Sequence, residues 1–178
     1  MLTRGVLEWY FTHLLDGYPT FVIAIVVAYT LAALAWGLLK DWRQAWRLLA
    51  IGYGILILYV TVFSRPTCQA SGYSLQPFAS YLLIIGNRDG YLLLQVIMNV
   101  VAFLPVGFLA RAAFVHWSWG KSMACGVLLS VVIETLQLVL LKGTAELDDV
   151  IHNTLGCLIG IGIYELLCSF RRMAKQYL

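Results

Sequence analysis

Five stretches of this chain are apolar and long enough to cross a lipid bilayer: about 20–39, 48–64, 91–112, 121–141 and 149–169. A crossing helix needs roughly 20 apolar residues. The pattern predicts an all-α integral membrane protein, a bundle of about five transmembrane helices in a single domain over residues 1–178. The second stretch is short and would cross with little tilt. Only 12% of residues are charged and the mean hydropathy is +0.83. A soluble domain would carry about 25% charge. A net charge of +3 gives no sign of a nucleic-acid partner.

Ahead of the first span, Leu7, Tyr10, Phe11, Leu14, Leu15 and Tyr18 recur at helical spacing. This predicts a short N-terminal amphipathic helix on the membrane surface before Pro19, with an extension of the first span as the alternative. Glu8, His13 and Asp16 interrupt any apolar run, so no cleavable signal peptide is expected. Cys68, Cys125, Cys157 and Cys168 form no CxxC pair and predict neither a zinc site nor a disulfide framework.

Basic residues in short loops set orientation. Lys40, Arg43, Arg47, Arg111, Lys121, Arg171, Arg172 and Lys175, eight of the 12 basic residues, fall on one side, which is expected to be cytoplasmic. The N-terminus is then outside and the C-terminus inside. Trp36, Trp42, Trp46, Trp117 and Trp119 flank the same side, as interfacial anchors do. The longest outer loop, about 65–90, is broken by Pro66, Gly72, Pro77 and Gly86. Within it, FASYLLII (Phe78 to Ile85) is too short to span and is expected to dip into the interface or fold back between helices.

Amide and acidic side chains inside spans cost a few kcal/mol each unless paired. Gln95, Asn99, Glu134, Gln137 and Asn153 are the informative ones. At 1.5 Å per residue, Asn99 lies about 12 Å below the outer surface, Glu134 about 10 Å, and Gln137 and Asn153 about 6 Å. With Arg65 closing the second span, the group shares one level. Gly126, Ser130, Glu134 and Gln137 form one helical stripe, and Asn153, Gly156 and Gly160 form another with a GxxxG spacing. Spans four and five are expected to be antiparallel neighbours, so that Glu134 and Gln137 face Asn153. Pro105 is expected to kink the third span. Simpler roles exist: Gln95 and Asn99 as interhelical hydrogen-bond glue, Asp148 and Asp149 as solvated loop acids or helix N-terminal charge, His152 as an interfacial residue. Glu134 needs a cation partner or a proton, which favours a functional role.

From Phe63 to Gly160 the chain resembles the VanZ family of membrane proteins. The resemblance rests on Arg65 after an early span, the Pro77–Phe78 pair, NVVAFLPVGF, ETLQ and DDVIHNTLG, in that order. The family often carries an arginine before the final span and an aspartate where Glu146 stands; here Lys142 is the basic residue nearby. The resemblance implies a bacterial cytoplasmic membrane location and an association with low-level resistance to teicoplanin-type glycopeptides.

Three functions compete. In the first, the protein acts at the outer leaflet on a membrane lipid or lipid-linked envelope precursor. Glu134, with Asp149, is the candidate catalytic acid or base. Arg65, Asn99, Gln137 and Asn153 bind the polar group, and Asp148 and Asp149 are candidate ligands of a divalent cation. In the second, the same pocket binds and shields a precursor or glycopeptide without chemistry. In the third, the protein is a transporter or flippase; no inverted repeat is evident, and no polar residues are expected to continue through the inner half. The residues do not decide whether the protein is an enzyme.

Overall fold

A computed structural model describes residues 20–176. The expected amphipathic helix at 1–18 lies outside the described residues. Six α-helices follow one another: α1 (Thr20–Leu39), α2 (Trp42–Leu58), α3 (Ala79–Asn87), α4 (Gly90–Ala113), α5 (Trp119–Val139) and α6 (Leu147–Gln176). Four helical stretches are long and apolar enough to cross a membrane: Trp42–Phe63, Gly90–Ala113, Trp119–Val139 and Leu147–Lys175. In α1, Ile23–Leu39 is a shorter apolar stretch. The architecture is the all-α bundle expected of a multi-pass membrane protein.

Local chemistry sets the helix starts. Asp41, in an extended conformation, accepts the Arg43 amide at 2.8 Å and caps α2. The second span therefore begins six residues before the expected 48, because Arg43, Gln44 and Arg47 ride on its first turns. Asp89 caps α4 by accepting the Tyr91 and Leu92 amides, and Ser118 caps α5 at Lys121. Past Leu58 the second span continues as a π-helical turn, Tyr59–Phe63, delivering Arg65 to the bundle end. The fourth helix runs unbroken through Pro105.

The core lies among α2, α4, α5 and α6, with Ile57, Val62, Phe103, Val106, Ile133, Cys157 and Ile161 buried together. The closest approach is between α4 and α6. A Cβ at Gly156 would meet the Val100 carbonyl, one at Gly160 the Leu104 carbonyl, and one at Gly107 the Cys157 carbonyl. The GxxxG stripe thus seats α6 on the third span, while α6 also packs on its sequence neighbour α5.

Two short strands, β1 (Tyr73–Ser74) and β2 (Ala145–Glu146), pair in parallel, Tyr73 with Ala145 and Ser74 with Glu146. They join the 64–78 loop to the 140–146 turn. Helix α3 is the FASYLLII segment. It buries Ser80 and Ile84 and exposes Leu82, Leu83 and Ile85, as a short interfacial helix does.

Candidate functional site

Charged side chains from four segments meet at one end of the bundle. Arg65 follows the π-helical turn of α2, and its Nη1 passes over Gly143, where a Cβ would lie 3.4 Å away. Its backbone is pinned, since the Arg65 carbonyl accepts from Lys142 Nζ at 2.6 Å. The Lys142 amide donates to the Gln137 carbonyl at 2.7 Å, and the Cys68 amide donates to the Leu141 carbonyl at 2.7 Å. Ser71 Oγ donates to the Leu138 carbonyl at 3.0 Å. The loop bearing Arg65 is laced onto the end of α5. Lys142, whose ammonium holds the Arg65 carbonyl, acts through the loop.

Three carboxyl groups lie around this end of the bundle. Glu134 on α5 is only 6% exposed, and it accepts the Glu146 amide at 3.0 Å. Asp149 on the first turn of α6 is 8% exposed and accepts Asn99 Nδ2 at 2.7 Å. Glu146 sits on β2 between them. Arg65 lies within electrostatic reach of all three. Burial pushes the Glu146 carboxyl above its ordinary range, the Asp148 charge adds to this, and Arg65 opposes it. One guanidinium beside three acids makes a site that can meet an anionic group at Arg65 and exchange a proton at a carboxyl.

The two aspartates expected as metal ligands are turned to different partners. Asp148 accepts the Phe78 amide at 2.5 Å and the Ser80 amide at 2.8 Å, one on each carboxylate oxygen. It caps α3 and holds Phe78 in the left-handed conformation (φ 64°) that bulky residues rarely adopt. Among the described residues, no group of three or more His, Cys, Asp or Glu is placed to hold a metal ion. Each of the two aspartates is thus engaged by protein donors, Asp148 by two backbone amides and Asp149 by the Asn99 side chain.

Other expected residues separate into pocket and packing. Asn99, Asp149, Glu134 and Arg65 come together. Asn153 donates to Ser130 Oγ at 2.9 Å instead of meeting Glu134, and Gln137 Nε2 donates to the Thr61 carbonyl at 2.9 Å. Both tie helices to one another. Gln95 is exposed. His152 is 1% exposed, with Nε2 3.0 Å from the Tyr81 hydroxyl and the two rings 5.5 Å apart. Sequence reasoning left Glu146 out of the site; its signals were the acid that the resembled family carries there and its position, two residues ahead of Asp148 in a short turn that must fold back over α5.

The opposite end of the bundle also carries charge. Arg111 on α4 forms an ion pair with Glu165 on α6, donates to the Trp117 carbonyl, and lies 5.9 Å from the centre of the Tyr164 ring. Glu165 is thus an intraspan acid that the sequence reading passed over, and the half of the bundle expected to lack polar residues holds this pair. It is internally matched and leads nowhere through the core, which is filled by Phe103, Ile133 and Ile161.

The family model for VanZ/LLP1 matches residues 46–168, well over half of the chain. The chain belongs to the VanZ/LLP1 family. The matched region carries Arg65, Asn99, Glu134, Glu146 and Asp149, so the candidate site lies wholly within the VanZ/LLP1 domain. Protein VanZ of Enterococcus faecium is 32% identical over 72 residues, covering 40% of this chain and 45% of that protein. The match spans less than half of that relative's length. No solved structure matches the chain.

Proposed function

We propose that this VanZ/LLP1 protein acts at the outer leaflet of the bacterial cytoplasmic membrane on a lipid or lipid-linked envelope component, and that it lowers susceptibility to teicoplanin-type glycopeptides. The observation that carries the reading is the convergence of Arg65 with Glu134, Glu146 and Asp149 at one end of the bundle. Arg65 takes an anionic head group, such as a phosphate, through charge-assisted hydrogen bonds. Glu134 serves as general acid or base on the neighbouring polar group. Asn99 fixes the Asp149 carboxyl beside it. The sealed core and the paired Arg111–Glu165 argue against a polar path across the membrane, and so against a transporter.

A second reading keeps the pocket and drops the chemistry. It is favoured by the hydrogen bonds that fix Glu134 and Asp149 as acceptors for the Glu146 amide and Asn99. The protein would then bind and shield an envelope precursor or the glycopeptide itself.

Glu134→Gln separates the two, because glutamine keeps an oxygen for the Glu146 amide and loses the carboxyl that can give or take a proton. Teicoplanin susceptibility is measured in a sensitive Gram-positive host producing wild type or variant at matched membrane levels. Loss of protection in Glu134→Gln is the result expected of the catalytic reading. Full protection sinks it and leaves the binder. If wild type gives no protection at all, the resistance reading fails.

A further inference from the structure

The helices α1 and α2 pack together near their turn, where Gly37 lies against Trp42 and Ala45, and again around Tyr29. At the turn, Trp36 Nε1 donates to Gln44 Oε1 at 3.0 Å. Further along, the Tyr29 ring sits where a Cβ on Gly52 would be, and the Tyr29 hydroxyl donates to the Leu48 carbonyl at 2.6 Å. Around that contact a groove of about 660 Å³ opens, walled by Ile25, Val26, Leu49, Ile55, Leu56 and Tyr59. This volume lies within the range of about 300–1,000 Å³ typical of small-ligand pockets.

Three of the four hydroxyls along the groove are already bonded within the protein. Tyr29 bonds to Leu48, Thr30 to the Val26 carbonyl, and Tyr53 to the Ala102 carbonyl. A polar occupant would lose water and gain little, so the groove suits hydrocarbon. Ile25 is 63% exposed and Ile55 is 65% exposed on spans that face the bilayer, so hydrocarbon is also the medium that covers them.

Hydrophobicity alone does not favour a protein groove over neighbouring lipid tails, which are equally apolar. Shape and attachment do. The groove follows α2 from Leu49 to Tyr59, about 15 Å at 1.5 Å per residue. Tyr59 begins the π-helical turn, and Arg65 follows six residues further along the chain, just past the end of that turn. A head group held at Arg65 would therefore hold its own chain near the mouth of the groove, making chain entry an intramolecular step.

We propose that the groove between α1 and α2 receives one acyl chain of the phospholipid whose phosphate is held at Arg65. This rests on the head-group reading of the Arg65 site and adds the second half of the ligand.

The test uses the full-length protein in nanodiscs containing phosphatidylglycerol with a photoactivatable diazirine on one acyl chain, with labelled peptides mapped by mass spectrometry. Labelling is expected to concentrate on residues 25–30 and 49–59, above Leu128 and Val139 of α5, which are at least as exposed as Ile25 and Ile55. Ile55→Trp, at an exposed position where the fold is not at stake, fills the groove. It is expected to lower labelling there about fivefold, the equivalent of roughly 1 kcal/mol of packing. Arg65→Ala is expected to lower it as well. Labelling that merely follows exposure, or that Ile55→Trp leaves unchanged, overturns the groove. A loss in Ile55→Trp with none in Arg65→Ala overturns the link between groove and Arg65, because the groove then holds lipid unaided; the head-group reading itself stands or falls by direct binding of phosphatidylglycerol to wild type and Arg65→Ala.

Discussion

Asp148 receives two backbone amides at once, which makes it the side chain that fixes α3 to the bundle. Hydrogen bonds to a charged acceptor contribute about 1.5–3 kcal/mol each. Asp148→Ala removes both and releases the left-handed Phe78, so it is expected to lower the midpoint of thermal unfolding in detergent and to open the 64–78 loop to protease. Asp148→Asn, which keeps one acceptor, should lie between. An unchanged melt and protease pattern in Asp148→Ala would show that α3 is held by its apolar contacts and the His152–Tyr81 pair instead. Glu146 carries a different expectation. Its carboxyl is raised above the ordinary range, so it takes up a proton at a higher pH than a free glutamate. As pH falls from neutral, the site loses a negative charge beside Arg65. Binding of an anionic phospholipid should therefore strengthen, with a midpoint above the ordinary value of about 4.3, and Glu146→Gln should flatten that profile. At this scale the sequence was informative about which residues belong at one level, since depth follows from helix rise. It was silent about partners. Asn153 and Ser130, or Gln137 and Thr61, meet because of how helices rotate against each other, and no spacing within a single helix specifies that.

Among the elements, the pairing of α4 with α6 is the most demanding, because glycines bring backbone against backbone. Gly156→Ala places a methyl against the Val100 carbonyl, and backbone cannot step aside as a flexible side chain can. The helices must part, at a cost of about 1–3 kcal/mol. Gly162, two residues past Gly160, has nothing within 4 Å of its Cβ position. Gly162→Ala should be neutral or stabilise by up to about 1 kcal/mol through helix propensity. Thermal unfolding of the two variants side by side checks the pair; equal midpoints would remove the close-packing account. The spans themselves were legible because hydrocarbon thickness imposes their length. Their starts were less so: Asp41 nucleates α2 ahead of the apolar run, and capping depends on one side chain that a hydropathy window averages away. The GxxxG spacing announced a close contact, yet which helix lies against it is a property of the whole bundle.

Across the whole molecule, the arrangement is polarised. One end gathers Arg65 and three acids, and the other gathers Trp42, Trp46 and the Arg111–Glu165 pair. The excess of basic residues sits on the loops and tail of the second end, which the positive-inside rule places in the cytoplasm. The native cysteines allow this to be checked without new reactive sites. Cys68 is exposed in the loop after Arg65, Cys157 is buried, and Cys168 lies half-buried towards the far end of α6. A membrane-impermeant maleimide added to intact cells, or to protoplasts where a wall intervenes, should label Cys68. Cys168 should stay unmodified until the membrane is permeabilised. Cys68→Ser should abolish the external signal, and wild type and variant should label alike at Cys168 after permeabilisation. External labelling of Cys168 with protection of Cys68 would invert the topology. It would also move the carboxylate site to the cytoplasmic leaflet, where an externally added glycopeptide could not reach it. The direction of labelling at one cysteine therefore decides whether the Arg65 pocket stands on the side of the membrane that the proposed function requires.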